Sequence, residues 1–130
     1  MLLRCWSVHA LTALPDFTAL PWHEASVSAV REINSPAVFS PATAGGGVFV
    51  DHFACELTGG FVAPDTGATA FCMSSNDGSR LYVDGALVVD NDGVHARRTR
   101  TGSAQLVGGR TYRLRAIYFD RDDGNTWTIE

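Results

Sequence analysis

The sequence predicts an all-β chain, an antiparallel sandwich or barrel. Three observations carry that prediction. From Phe53 onward apolar and polar residues alternate with a period of two, turn signals recur about every ten residues, and 130 residues suffice for one core of ordinary depth. The whole chain, residues 1–130, is expected to fold as a single domain.

The elements follow in order. Met1 to Leu14 is apolar enough to resemble an export signal, but Arg4 and His9 interrupt it and no small-residue cleavage site precedes Pro15, so it is read as folded protein. Thr12-Ala13-Leu14-Pro15 is echoed by Thr18-Ala19-Leu20-Pro21; the prolines mark an extended wrapping segment, and a single echo is not a repeat architecture. Ser26 to Ile33 suits a strand or a helical turn, and Gly45-Gly46-Gly47 is a connection into Val48-Phe49-Val50.

Phe53, Cys55 and Leu57 then alternate with Ala54, Glu56 and Thr58, which should bury one face and wet the other. Pro64-Asp65-Thr66-Gly67 is a turn. Thr69, Phe71 and Met73 alternate up to a break at Asn76-Asp77-Gly78, after which Leu81 and Val83 point one way and Arg80, Tyr82 and Asp84 the other. Asp84-Gly85 is the strongest hairpin signal, because a type I′ turn demands positive φ at both central residues. Leu87-Val88-Val89 resumes the apolar run. Ala104, Leu106 and the Gly108-Gly109 turn lead into a long strand in which Tyr112, Leu114, Ala116 and Tyr118 alternate with Arg113, Arg115 and Ile117. An acidic loop, Asp120 to Asn125, precedes a last short strand from Thr126 to Ile129.

Composition sets limits on function. The chain is 45% hydrophobic and 18% charged, and no apolar run approaches the roughly 20 residues of a bilayer-spanning helix. Its net charge is −4, with ten Arg and no Lys, so there is no basic face for nucleic acid or an anionic membrane. The one basic cluster, Arg97, Arg98 and Arg100, follows Asp90-Asn91-Asp92 and reads as a solvated loop of offsetting signs. Three cysteines, Cys5, Cys55 and Cys72, cannot all pair within one chain. Alternation sends Cys55 inward and Cys72 outward, against a bond between those two, and no Cys/His spacing suggests zinc.

No nucleophile elbow, zincin motif, phosphate-binding loop or dinucleotide fingerprint is present, so the chain is not expected to be an enzyme. The chemistry-bearing features are oxygen-rich loops: Asn76-Asp77, Asp90-Asn91-Asp92 and Asp120 to Asn125. A hard cation such as Ca²⁺ takes six to eight oxygens from such groups, and Asp and Asn also populate turns for local backbone reasons alone. For Asp84, Asp90 and Asp92 the turn role is preferred; for Asn76-Asp77 and the last loop both roles stand. That loop is not an EF-hand, since its glycine falls one position early and no helical pattern flanks it.

The stretch Ser74-Ser75-Asn76-Asp77-Gly78-Ser79-Arg80-Leu81-Tyr82-Val83-Asp84-Gly85, continued by Leu87-Val88-Val89-Asp90-Asn91-Asp92-Gly93-Val94-His95, resembles the signature of the PA-fourteen domain family, named for anthrax protective antigen. Leu14-Pro15-Asp16-Phe17, Phe53 to Gly59, Ala63 to Gly67, Thr101-Gly102-Ser103 and Tyr118-Phe119 extend the likeness over nearly the whole chain.

The resemblance implies a jelly-roll-like antiparallel β-sandwich and a non-catalytic, lectin-like carbohydrate-binding module of adhesins and other surface proteins. In sugar-binding members two adjacent aspartates joined by a cis peptide hold a Ca²⁺ that touches sugar hydroxyls; those positions correspond to Asn76 and Asp77. The loop after the penultimate strand, Asp120 to Asn125, completes the site. On this reading Asn76, Asp77, Asp120, Asp122, Asp123 and Asn125 hold calcium, and Asn76, Asp77, Asp123 and Asn125 meet the sugar. Asn76 supplies one neutral oxygen where the pattern has a carboxylate, so affinity is expected to fall unless Asp122 or Asp123 compensates.

Trp127 and Tyr82 are candidate sugar-stacking rings, with core or edge packing the preferred role for both. The implied partner is a glycan or cell-surface carbohydrate, the implied place extracellular or at the cell surface, and the implied context a larger multidomain protein. The competing expectations are a metal-free structural or protein-interaction module, and an accessory domain of a glycosidase or adhesin.

Overall fold

The computed structural model describes residues 2–8, 11–19, 31–32, 51–122 and 126–130. The expectations that rest on Ser26 to Val30, Gly45 to Val50, Asp123 and Asn125 lie outside the described residues.

Nine strands are described: β1 (Leu2–Ser7), β2 (Arg31–Glu32), β3 (Phe53–Val62), β4 (Gly67–Asn76), β5 (Ser79–Val83), β6 (Ala86–Asn91), β7 (Arg98–Leu106), β8 (Thr111–Asp120) and β9 (Thr126–Ile129). They form a six-stranded sheet in the order β2-β1-β3-β8-β5-β6 and a three-stranded sheet in the order β7-β4-β9, every pairing antiparallel. The all-β prediction holds, and the alternation that predicted it is visible in the core. Cys55, Leu57, Leu81, Val83, Leu114, Ala116 and Tyr118 from the large sheet meet Phe71, Met73, Trp127 and Ile129 from the small one.

Two glycine positions fix how the layers close. At the β5–β6 hairpin Asp84 and Gly85 have φ of 47° and 85°, the left-handed pair a type I′ turn needs. A bulge lies in the same hairpin: Leu81 pairs with Val89 and Tyr82 with Leu87, leaving Val88 as the extra residue. Gly102 of β7 then lets β6 and β7 approach across the sandwich edge, because a Cβ there would overlap the Val88 carbonyl.

The structure departs from the sequence reading in two places and settles a cysteine pairing that the sequence left open. The outer face of the large sheet is not uniformly wet: Trp6, Val8, Phe17, Ala54, Ile117 and Phe119 form a second buried cluster, with Leu11 and Leu14 packed against it. Residues 11–19 are therefore a wrapping segment, as Pro15 suggests, held by a Leu14 N–H bond to Asp92 Oδ1 (2.8 Å) and by an edge-to-face contact between Trp6 and Phe17. Cys5 and Cys55 are directly opposed on β1 and β3 and form a disulfide, leaving Cys72 free. Finally, Arg98 and Arg100 lie within β7 and are not loop residues. Arg98 is tied by Nε to Asn91 Oδ1 (2.7 Å) and by its terminal nitrogen to the Asp92 carbonyl (3.0 Å). Among the described residues no helix is long and apolar enough to cross a membrane.

Candidate functional site

Antiparallel pairing decides which loops can meet. β4 ends at Asn76, β5 begins at Ser79 opposite Tyr118, and β8 ends at Asp120 opposite Phe53, so the 76–78 turn and the start of the acidic loop share one end of the sandwich. They are in direct contact. The Arg121 N–H donates to Asp77 Oδ2 (2.9 Å), and the His95 N–H donates to Asp77 Oδ1 (3.0 Å). Asp77 is 3% exposed and is the hub at which three loops converge. Each of its oxygens keeps a second lone pair beyond the N–H bond it accepts.

The peptide bond joining Asn76 to Asp77 is cis, the geometry the family resemblance implies for that pair. The Tyr118 hydroxyl donates to the Asn76 carbonyl, and its ring stacks on Trp127 at 5.2 Å between centroids with planes 10° apart. Gly78 admits this arrangement because a Cβ there would overlap the Phe119 ring and crowd Asp92 and the Gly93 nitrogen. Below the turn lies a polar network that the sequence reading missed. Asn91, fully buried, donates to Ser75 Oγ (2.9 Å) and to the Arg98 carbonyl (3.0 Å), while the Ser75 and Ser79 hydroxyls share a bond of 2.7 Å. The signal was present: Asn91 is two residues beyond buried Val89 on the same strand, so alternation sends it inward.

Asp120 carries the sharpest observation. It is 0% exposed; among the described residues its Oδ1 receives a long contact of 3.4 Å from the Tyr118 hydroxyl, and its Oδ2 is buried with no hydrogen-bond partner. Burial first, then the charges of Asp77 and Asp51, push its carboxyl up to about 7. Burial, with Asp120 and Asp77 close by, likewise drives the Tyr118 hydroxyl far above its usual range, so it stays a donor. A fold seldom leaves a buried carboxylate oxygen unpartnered beside a second carboxylate, and a cation between them offsets both the desolvation and the repulsion.

The carboxylates of Asp77 and Asp120 suit a hard, oxygen-seeking ion, and the His52 imidazole lies at the edge of the same loop, with Nε2 4.0 Å from Asp122 Oδ1. Among the described residues no group of three or more His, Cys, Asp and Glu side chains is placed to hold a metal, so any shell draws also on amide, main-chain or solvent oxygens. Asp122 sits in the same loop, but its side chain is 65% exposed and lies 3.1 Å from Arg121 Nε. Asp123 and Asn125 lie outside the described residues. Trp127 is 0% exposed and belongs to the core, and Tyr82 is half-buried on the outer sheet face. The aspartates assigned to turns have local partners: Asp84 Oδ1 accepts from Arg113 N–H (2.7 Å), Asp90 pairs with Arg80 Nε (3.0 Å), and Asp92 receives Leu14 and Gly93 N–H groups.

Comparison with known proteins gives a consistent answer. The family model described as PA14 domain matches residues 24–129. No curated protein sequence matches. Among solved structures, an anti-sigma factor domain-containing protein superposes with a TM-score of 0.77 at 17% identity, over 99% of this chain and 41% of that one. The PA14 domain of the MpAFP antifreeze protein gives 0.69 at 17% identity, over 99% and 78%. The PA14 sugar-binding domain from an RTX adhesin gives 0.64 at 20% identity, over 98% and 85%. At these identities the structural likeness establishes the shared fold.

Proposed function

The chain belongs to the PA14 domain family, and from that membership we propose that it is a non-catalytic, calcium-dependent carbohydrate-binding module, working outside the cell or at its surface as one domain of a larger protein. The observation that carries the calcium is the unpartnered, fully buried oxygen of Asp120 beside Asp77. Asp77 and Asp120 hold the ion, with the Asn76 amide and the loop residues Asp122, Asp123 and Asn125 as further oxygen donors. Bound there, Ca²⁺ supplies a centre at which sugar hydroxyls replace water. Asn76, Asp77, Asp123 and Asn125 then accept hydroxyl protons and fix which hydroxyls fit.

Two further observations support the reading. One similar structure is described as a sugar-binding domain, and its PA14 fold is this one. The Cys5–Cys55 disulfide suits an oxidising, extracellular setting.

Calorimetry tests the proposal: Ca²⁺ is titrated first, and a panel of neutral monosaccharides follows with and without the metal. The expected result is a saturable calcium heat, with sugar heats seen only in its presence. Absence of a calcium heat, together with no calcium-linked rise in melting temperature, defeats it.

A further inference from the structure

A cleft of about 640 Å³ lies on the outer face of the large sheet, lined by Tyr82, Asp84, Gly85, Arg113 and Arg115. It is remote from the loops described above. Along the β5–β8 pair, Ser79 opposite Tyr118 marks the Asp77 end and Val83 opposite Leu114 marks the cleft end; four residue steps separate them, about 13 Å of strand. The cleft is open on one side, and its volume falls in the range of small-molecule sites.

The charges in the cleft do not cancel. Arg115 is neutralised by Glu56, with Nε to Oε1 at 2.6 Å, and its guanidinium also lies 5.5 Å from the Tyr82 ring centre and 5.9 Å from that of Phe17, which holds it in place. Asp84 is engaged by the Arg113 N–H and by the Arg110 guanidinium at 3.6 Å. Among the described residues the Arg113 side chain has no hydrogen-bond or ion-pair partner, and it is exposed on the cleft wall. One surplus guanidinium therefore faces the cleft of a protein whose net charge is −4.

We propose that this cleft is a second, calcium-independent site, and that it takes a carboxylate-bearing saccharide of the hexuronate class. The guanidinium fork matches a carboxylate in plane and in donor spacing. The Asp84 carboxylate, 43% exposed, accepts hydroxyl hydrogen bonds. The Tyr82 ring offers an apolar surface for the C–H face of a pyranose. That the ligand is a glycan rests on the proposed function; the position of the site does not.

The experiment is a calorimetric titration of the whole chain in EDTA with three probes: trigalacturonate, the matching neutral galactose trisaccharide and triglutamate. Trigalacturonate is expected to bind at least about tenfold more tightly than either of the others. Arg113→Gln is expected to weaken trigalacturonate about tenfold with an unchanged melting temperature, while Arg100→Gln, an equal charge change on exposed β7, leaves it unaltered. Equal binding of the charged and neutral sugars overturns the proposal. Triglutamate binding as tightly as the uronate overturns it in favour of an acidic-peptide site, and insensitivity to Arg113→Gln overturns the residue assignment. With EDTA present throughout, failure here leaves the calcium-linked sugar heats untouched, and loss of those heats leaves uronate binding untouched, so the two readings fail separately.

Discussion

Replacing Asp120 by Asn gives the most informative perturbation of the metal-free protein. The Asp120 carboxyl, pushed up to about 7 by burial and by Asp77, has an ordinary value near 3.8 when the chain is unfolded. Between those values the folded state binds the proton more tightly than the unfolded state does, so stability falls as pH rises through this window. Well below pH 3.8 both states are protonated and the penalty is absent; near pH 4 it is still small, and above about pH 7 it is complete. Roughly three pH units correspond to on the order of 4 kcal/mol, the cost of keeping a buried charge beside Asp77. Asn copies the protonated carboxyl in shape and carries no charge, so in EDTA Asp120→Asn should match the parent near pH 4 and melt about 10 °C or more above it at pH 8. Asp90, lowered chiefly by its Arg80 hydrogen bond, and Asp16, lowered chiefly by Thr18, act in the opposite sense, but both are present in parent and variant and cancel in the difference. The assay is thermal unfolding followed by circular dichroism across pH 4 to 8, repeated with CaCl₂. Calcium should raise the parent and leave the variant nearly unmoved. A variant less stable than the parent at pH 8 in EDTA, or a gap of the same size at pH 4, refutes the argument.

Two further outcomes follow from the fold. Gly102→Ala should destabilise by about 1 to 3 kcal/mol or more, because the new Cβ meets the Val88 carbonyl of the facing backbone and no side chain can yield; chemical denaturation reads the loss. Replacing Cys5 and Cys55 together by Ser removes a cross-link between residues 50 apart, for which chain-entropy reasoning gives about 4 kcal/mol, and the parent under reducing conditions should melt where the double variant does.

Much of the scaffold was legible because period-two alternation and turn chemistry are local. Leu81, Val83, Leu114 and Tyr118 face the core as their spacing requires, and Asp84-Gly85 turns as its φ preferences require. Burial of the outer face was not legible, since Ala54, Ile117 and Phe119 sit at the polar phase of their strands and are packed with Trp6, Val8 and the 11–19 segment, which folds back over them. The Cys5–Cys55 pairing depends on the β1–β3 register, which no local pattern sets. At the site, Asn76, Asp77 and Asp120 were identifiable as oxygen-bearing residues at strand ends. That Asp77 is the buried hub and Asp120 the oxygen without a partner depends on how β4, β5 and β8 stack at one end of the sandwich. Arg113 gave no signal either: it is one of several arginines on an alternating strand, and only Glu56 and Arg110, by satisfying Arg115 and Asp84, leave it in surplus.

The most direct measurement is a crystal structure of the protein grown with CaCl₂ and a neutral monosaccharide. The account predicts an ion at about 2.3 to 2.6 Å from carboxylate oxygens of both Asp77 and Asp120, with sugar hydroxyls completing its shell. A well-ordered site in which Asp120 Oδ2 bonds to water or to a side chain, with no ion shared with Asp77, contradicts it.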